Sequence, residues 1–197
     1  MADLARLFVA IATGDRAGLD ALPSLVRAGV ARDEEFFVAE CRAQCYAGDT
    51  PSHAAAFAYR VAIARELVAR GADVRARNRR DAEPLHAAVM GSPDTPRWDP
   101  DRQVAMIDYL VRNGADPNAR AMGGVTPLQR AVRNRCAAAV AALLRLGADP
   151  RLANDRGSTA ADLARWTTGR GGTGSPAAKT GQRVIIGLLD DARGRGE

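Results

Sequence analysis

The sequence predicts an all-α solenoid of about five stacked helix-turn-helix units, with degenerate units at both ends and insertions between helices. Three observations lead there. Gly-Ala-Asp recurs as Gly71-Ala72-Asp73, Gly114-Ala115-Asp116 and Gly147-Ala148-Asp149. A second segment recurs in phase with it. Glu83-Pro84-Leu85-His86-Ala87-Ala88 matches Thr126-Pro127-Leu128-Gln129-Arg130-Ala131, and Gly157-Ser158-Thr159-Ala160-Ala161 repeats the frame of Gly124-Val125-Thr126-Pro127-Leu128 at a spacing of 33. Between these motifs the apolar residues form two short helical runs, too small to bury a core alone. Each unit must therefore stack on its neighbours.

Composition fits such a stack. The chain has 197 residues, 47% hydrophobic but only 5% aromatic, which suits small Ala/Leu helices in close contact. Three cysteines without regular spacing, and no basic start followed by an apolar run, argue against a secreted disulfide protein. No apolar stretch reaches the roughly 18 residues of a membrane span. The expected compartment is a reducing cytoplasm, with delivery by a specialised secretion system left open. The formal charge of +5 comes from arginines scattered through every unit, with Lys179 the only lysine. That bias is expected of a G+C-rich, bacterial source more than of a polyanion site.

The plain unit is Gly124 to Pro150. Thr126 can cap a helix whose first position is Pro127, where a missing N–H costs nothing. Leu128, Ala131 and Val132 mark one apolar face. Arg133 to Arg135 interrupts it, and Val140, Leu143, Leu144 and Leu146 mark a second helix closed by Gly147. The remaining units are expected at about 1–31, 32–77, 78–120 and 154–197, making one domain over 1–197. In the first, Leu4, Leu7, Phe8 and Ile11 precede a turn at Gly14-Asp15, and Leu19, Leu22, Leu25 and Val26 follow. In the second, Asp33 is expected to cap a helix through Glu34 to Ala39, and Ser52 to cap one long helix through Ala56, Tyr59, Ile63, Leu67 and Val68 to Gly71. The third has helices Pro84 to Met90 and Asp101 to Asn113, joined by the Pro-rich Gly91 to Pro100. The fifth has a helix from Thr159 to Trp166, a Gly-rich link, and a last helix through Val184, Ile185, Leu188 and Leu189. On this reading units two, three and five all carry extra residues between their two helices, which would build one shared edge.

Thr-Pro-Leu-His-x-Ala with Gly-Ala-Asp-x-Asn at this period resembles the ankyrin repeat family, best over Asp81 to Asn118 and Gly124 to Pro150. The resemblance implies binding of a protein partner, without catalysis, through a concave face lined by hairpin tips and first helices. By frame it places Arg79, Arg80 and Met90 of unit three on that face, with Met122, Val125, Arg133 and Asn134 of unit four. Unit five supplies Asp155, Arg156, Ser158 and Trp166. Trp98, in the inserted loop, joins Trp166 as an expected apolar anchor. His86 stands where the family carries a structural histidine bonded to the neighbouring hairpin.

No set of residues points to chemistry. Cys41 and Cys45, four apart on the expected helix, and His53 lack a fourth ligand, so no metal is expected, and small core cysteines are the plainer reading. Gly169 to Gly174 follows no strand and has no Lys-Ser/Thr directly after its last glycine, so it is not read as a phosphate loop. No catalytic residue and no cofactor are assigned. The expected role is an adaptor or effector, monomeric when unbound. An immunity-type inhibitor covering another protein's active site is the alternative from a different class. Nucleic acid is not an expected partner, and neither is a membrane.

Overall fold

The computed structural model describes residues 2–15, 36–38, 43–91, 98–169 and 176–194. Four helix starts set its repeat. Thr50, Glu83 and Thr126 each precede a proline at the first helical position, giving helices α2 (Pro51–Phe57), α4 (Pro84–Ala88) and α6 (Pro127–Arg133). Thr159 stands in the same frame before α8 (Ala160–Gly169), and its hydroxyl accepts the Asp162 N–H at 3.3 Å. Second helices follow as α3 (Val61–Ala69), α5 (Pro100–Arg112), α7 (Ala137–Arg145) and α9 (Pro176–Gly194). An N-terminal helix α1 (Ala2–Thr13) packs on α2. First helices pack on first helices and second on second, so the described residues form two helical layers with the core between them.

The position five residues after each cap is alanine in all four units: Ala55, Ala88, Ala131 and Ala164. All four are buried, and a side chain this small lets the two helices of a unit approach closely. Leu85, Leu128, Met106, Ile107, Leu110 and Leu143 fill the space between units. Each such side chain contributes about 1.5–3 kcal/mol on burial. The Gly-Ala-Asp motif ends three second helices identically. Gly71, Gly114 and Gly147 take φ of 87°, 99° and 93°, and the alanine N–H after each reaches back to Leu67, Leu110 or Leu143. Each aspartate then accepts the N–H two residues on, from Arg75, Asn118 and Arg151, at 2.8 Å.

The second unit differs from its expected form. Phe36–Val38 is a β-strand (β1) paired antiparallel with Ala43–Cys45 (β2), so no helix runs through Glu34 to Ala39. Phe-Phe-Val suits a strand better than a helix, because aromatic and β-branched side chains lose rotamer freedom in a helix. Cys45 therefore ends a strand, and Cys41 lies outside the described residues. The helix start is Thr50-Pro51-Ser52-His53, 33 residues before Glu83. The expected long helix is two helices, broken at Tyr59, which takes φ 55°. Thr50 to Gly71 then equals Thr126 to Gly147, so this unit has no insertion between its helices. The additional chain lies ahead of α2 instead. Among the expected elements, Leu19 to Val26 and Asp33 lie outside the described residues.

Units three and five do carry longer links. In the plain units the turn closes through the backbone: the N–H of Arg60 and of Cys136 reach Ala55 and Ala131 carbonyls at 2.9 and 3.1 Å. Unit three gains ten residues between Glu83 and Thr126 relative to that frame, and its second helix is four residues longer than α3 or α7. There the Ala88 carbonyl is instead held by the buried Gln103 side chain, whose Nε2 donates at 2.9 Å. Unit five repeats the substitution, with Gln182 Nε2 donating to the Ala164 carbonyl at 2.6 Å. In both units a glutamine on the second helix thus reaches the carbonyl that the Arg60 or Cys136 N–H reaches in the plain units.

Candidate functional site

The hairpin ahead of each first helix forms a finger, and the fingers are tied in one register. Arg79 N–H donates to the Ala47 carbonyl at 2.7 Å, Met122 N–H to Arg80 at 2.8 Å, and Asp155 N–H to Gly123 at 3.0 Å. Every bond joins equivalent positions of successive units. A second ladder lies beneath it. His53 Nε2 lies 2.9 Å from the Ala82 carbonyl and His86 Nε2 3.1 Å from that of Val125, while Gln129 Nε2 donates to Ser158 at 3.0 Å. The other ring nitrogen, Nδ1, accepts the cap N–H of Thr50 or Glu83, which places the proton on Nε2. Both imidazoles are thus held neutral. Burial holds His53 below its ordinary pKa, and His86 is pushed down to about 3 by burial and by Arg130 beside it. His86 is a buried tie between units, as the motif implies.

These ladders fix a face made of finger tips and the ends of first helices. Tyr46, Arg79, Met122 and Asp155 occupy one repeat position at the tips. Phe57, Met90, Arg133 and Trp166 occupy another, seven residues after each cap, where the first helix ends. Met122 is 61% exposed, Trp166 68% and Met90 41%. Three of the four large hydrophobic side chains exposed among the described residues therefore belong to this face; the fourth is Val184 on α9.

The sequence-derived residues divide accordingly. Arg79, Arg80, Met90, Met122, Arg133, Asp155, Arg156 and Trp166 present exposed side chains on the tips and helix ends. Arg80 lies over the Tyr46 ring at 4.0 Å, and Asp155 pairs with Arg120 at 3.0 Å. Val125, Asn134 and Ser158 are spent inside the fold. The Val125 and Ser158 carbonyls receive the His86 and Gln129 side chains, Ser158 is buried, and Asn134 Nδ2 donates to the Val89 carbonyl at 2.7 Å.

Trp98 is also an internal residue. It is half-buried against the core, and its indole N–H donates to Gln103 Oε1 at 2.9 Å. The Cys136 thiol donates to the same oxygen at 2.8 Å, and burial pushes that thiol's pKa up. Gly91 lies under Trp98 and Tyr59: a Cβ there would meet the Tyr59 hydroxyl and, at 2.7 Å, Trp98 Cδ1. The expected anchor is a buttress of the unit-three link.

Sequence reasoning missed Tyr46, Phe57 and Arg130. Tyr46 and Phe57 become visible once Thr50-Pro51-Ser52-His53 is put in the frame of Glu83-Pro84-Leu85-His86. Arg130 stands four residues after its cap, where the other units have Ala54, Ala87 and Leu163. It is half-buried, and its Nη1 lies 3.4 Å from the His86 carbonyl and 3.8 Å from Met90 Sδ.

Among the described residues no three His, Cys, Asp or Glu side chains could jointly hold a metal ion. Nor is any helix long and apolar enough to cross a membrane. No curated protein matches the chain. Family models do match it: one described as "Ankyrin repeat" over residues 47–79 and 83–121, and one described as "Ankyrin repeats (many copies)" over 110–164. Together these matches cover more than half of the sequence, begin at the finger that contains Tyr46, and follow the two ladders. The chain belongs to the ankyrin-repeat family.

Proposed function

We propose that the chain is a non-catalytic binding module that receives a partner protein on the face formed by its finger tips and first-helix ends. Ankyrin repeats are generally protein–protein interaction modules. The observation that carries the choice of face is the exposure of Met122 at a finger tip and of Met90 and Trp166 at equivalent first-helix ends. Exposed apolar side chains on a rigid surface, surrounded by arginine, are what the centre of a protein interface requires. The anchor is Trp166, and Trp98 is dropped from the site. The same face serves an adaptor, an effector or an inhibitor that covers another protein's site, and the partner's identity distinguishes them.

The test begins by capturing the partner from source cells with a photo-crosslinking side chain placed at Met122. Trp166→Ala is then expected to weaken binding at least tenfold, about 1.4 kcal/mol or more. Its melting temperature should stay within a few degrees of wild type, since Trp166 is largely exposed. Normal binding by Trp166→Ala, with loss on changing Asp108 and Arg145 of the second-helix layer, would place the site on the opposite side and sink the reading.

A further inference from the structure

Six arginines among the described residues are paired with carboxylates: Arg70, Arg77, Arg102, Arg120, Arg145 and Arg165. Arg80, Arg130 and Arg133 form no ion pair among them, although they share one part of the proposed face. Arg130 and Arg133 are one turn apart on α6, a spacing that puts both on the same side of the helix. Arg80 comes from the finger bonded to the Met122 finger of that same unit. The three charges sense one another: Arg133 and Arg80, added to burial, hold the Arg130 guanidinium below its ordinary pKa. Bringing three like charges together costs free energy in the free protein, and a bound anion recovers it.

The surroundings define that anion. Met90 Sδ lies beside Arg130, the Tyr46 ring lies under Arg80, and Met122 projects from the adjoining tip. Within reach, the carboxylate of Asp49 is buried and already accepts the Tyr46 N–H and the Asn78 side-chain amide, each at 2.7 Å. It is spent on its own finger. Exposed Asp81 follows Arg80 on the same finger, and exposed Asp155 stands on the finger after that of Met122. A continuous phosphate backbone laid across these fingers would pass both charges in turn, whereas a single carboxylate seated against Arg130 and Arg133 of α6 does not span them. We propose that Arg80, Arg130 and Arg133 form the acceptor for one Asp or Glu side chain of the partner protein, with an apolar neighbour of that residue packing on Met90, Met122 and Tyr46. This rests on the reading of the finger-and-helix face as the docking surface. Arg130 is the inner contact, already oriented by the His86 carbonyl. Arg80 and Arg133 close on the carboxylate from the exposed side, where a planar guanidinium can bind it through two N–H groups.

The experiment pans a phage-displayed library of random short peptides on the wild-type protein. The enriched peptides are then measured by titration against Arg130→Gln, Arg133→Gln, Trp166→Ala and Met122→Ala variants, each first checked for an unchanged helical spectrum and melting curve. Expected are peptides with Asp or Glu beside an apolar residue, weakened at least tenfold by Arg130→Gln and by changing the acid to its amide. Arg133→Gln covers the case in which Arg130→Gln fails to fold, because Arg133 is exposed. Peptides without an acid, or indifference to both arginine variants, overturn the carboxylate acceptor. If those peptides still depend on Trp166 and Met122, the face stands and only its chemistry is wrong. If they depend on none of the four, the face reading falls as well. Failure to enrich any peptide counts against the proposal. So does binding of a short single-stranded DNA oligonucleotide that is lost in both arginine variants, since it would assign the cluster to phosphate.

Discussion

A buried imidazole held neutral between two units is a pH liability. His86 titrates near 6.5 in an unfolded chain and only near 3 in the fold. The unfolded state therefore takes up a proton between those values while the folded state does not. The stabilisation is complete above about pH 6.5 and is lost as pH falls from there toward 3. His53, shifted in the same direction, adds to the effect. Gln129 shows that an amide can do the same work, accepting the Thr126 N–H at 3.3 Å and donating to Ser158. His86→Gln is therefore expected to fold and to flatten the pH dependence. Urea denaturation at pH 7.5 and 4.5 should show a loss of stability that is smaller in the variant by about 2–3 kcal/mol. An equal loss in both proteins would mean that His86 is not buried neutral. The role of His86 was legible in the sequence from its place in the motif. Arg130 was not, because nothing in a run of arginines marks the one that folding half-buries without an ion pair to any described carboxylate.

At the level of elements, the sequence showed what recurs and concealed what departs from recurrence. Gly-Ala-Asp and Thr-Pro-Leu located the fourth unit to within a residue. The second was misplaced because Ser52 stands where leucine is expected, so Thr50-Pro51-Ser52-His53 lost to the apolar Phe36-Phe37-Val38. Those three residues form a strand, and a short apolar run does not by itself distinguish strand from helix. Tyr59 shows a related limit. A bulky residue at φ 55° is a poor breaker by type, and only tertiary packing makes it one. The tryptophans differ for the same reason, since exposure is a property of what the chain returns to cover: Trp98 is half-buried and Trp166 stands open. Gly91 makes the point testable. With Tyr59 and Trp98 both occupying the place a Cβ would take, Gly91→Ala should destabilise by about 1–3 kcal/mol, as overpacking does. Trp98→Ala should also lower the melting temperature, measurable by circular dichroism. An unchanged melting temperature in both variants would show that the buttress does not hold the unit-three link.

Over the whole molecule, stability runs from unit to unit through two backbone-directed ladders and a continuous core, so each unit is held chiefly by its neighbours. The proposed binding face inherits its rigidity from the upper ladder. Because the finger tips are tied N–H to carbonyl, their side chains can vary while the spacing of the tips does not. An apolar anchor near Trp166 and a charged group near Arg80 are thus held at a fixed separation of about two repeats, which a partner must match.

Gln103 and Gln182 carry a different implication, for the freedom of the chain to change. In units two and four the closing bond belongs to the link itself, so altering the length of that link removes the bond. In units three and five a bond to that carbonyl is made from the second helix, and it does not depend on the length of the link. Those two joints are therefore sockets into which new sequence can be spliced, a property stored in one side-chain amide each. Inserting a flexible Gly-Ser segment between Asp94 and Thr95 is expected to shift the melting temperature by only a few degrees, since each doubling of loop length costs about 0.6 kcal/mol. The same segment placed between Arg135 and Cys136 should unfold the fourth unit. Gln103→Leu should make the first insertion as damaging as the second, because the socket exists only while the amide holds the Ala88 carbonyl.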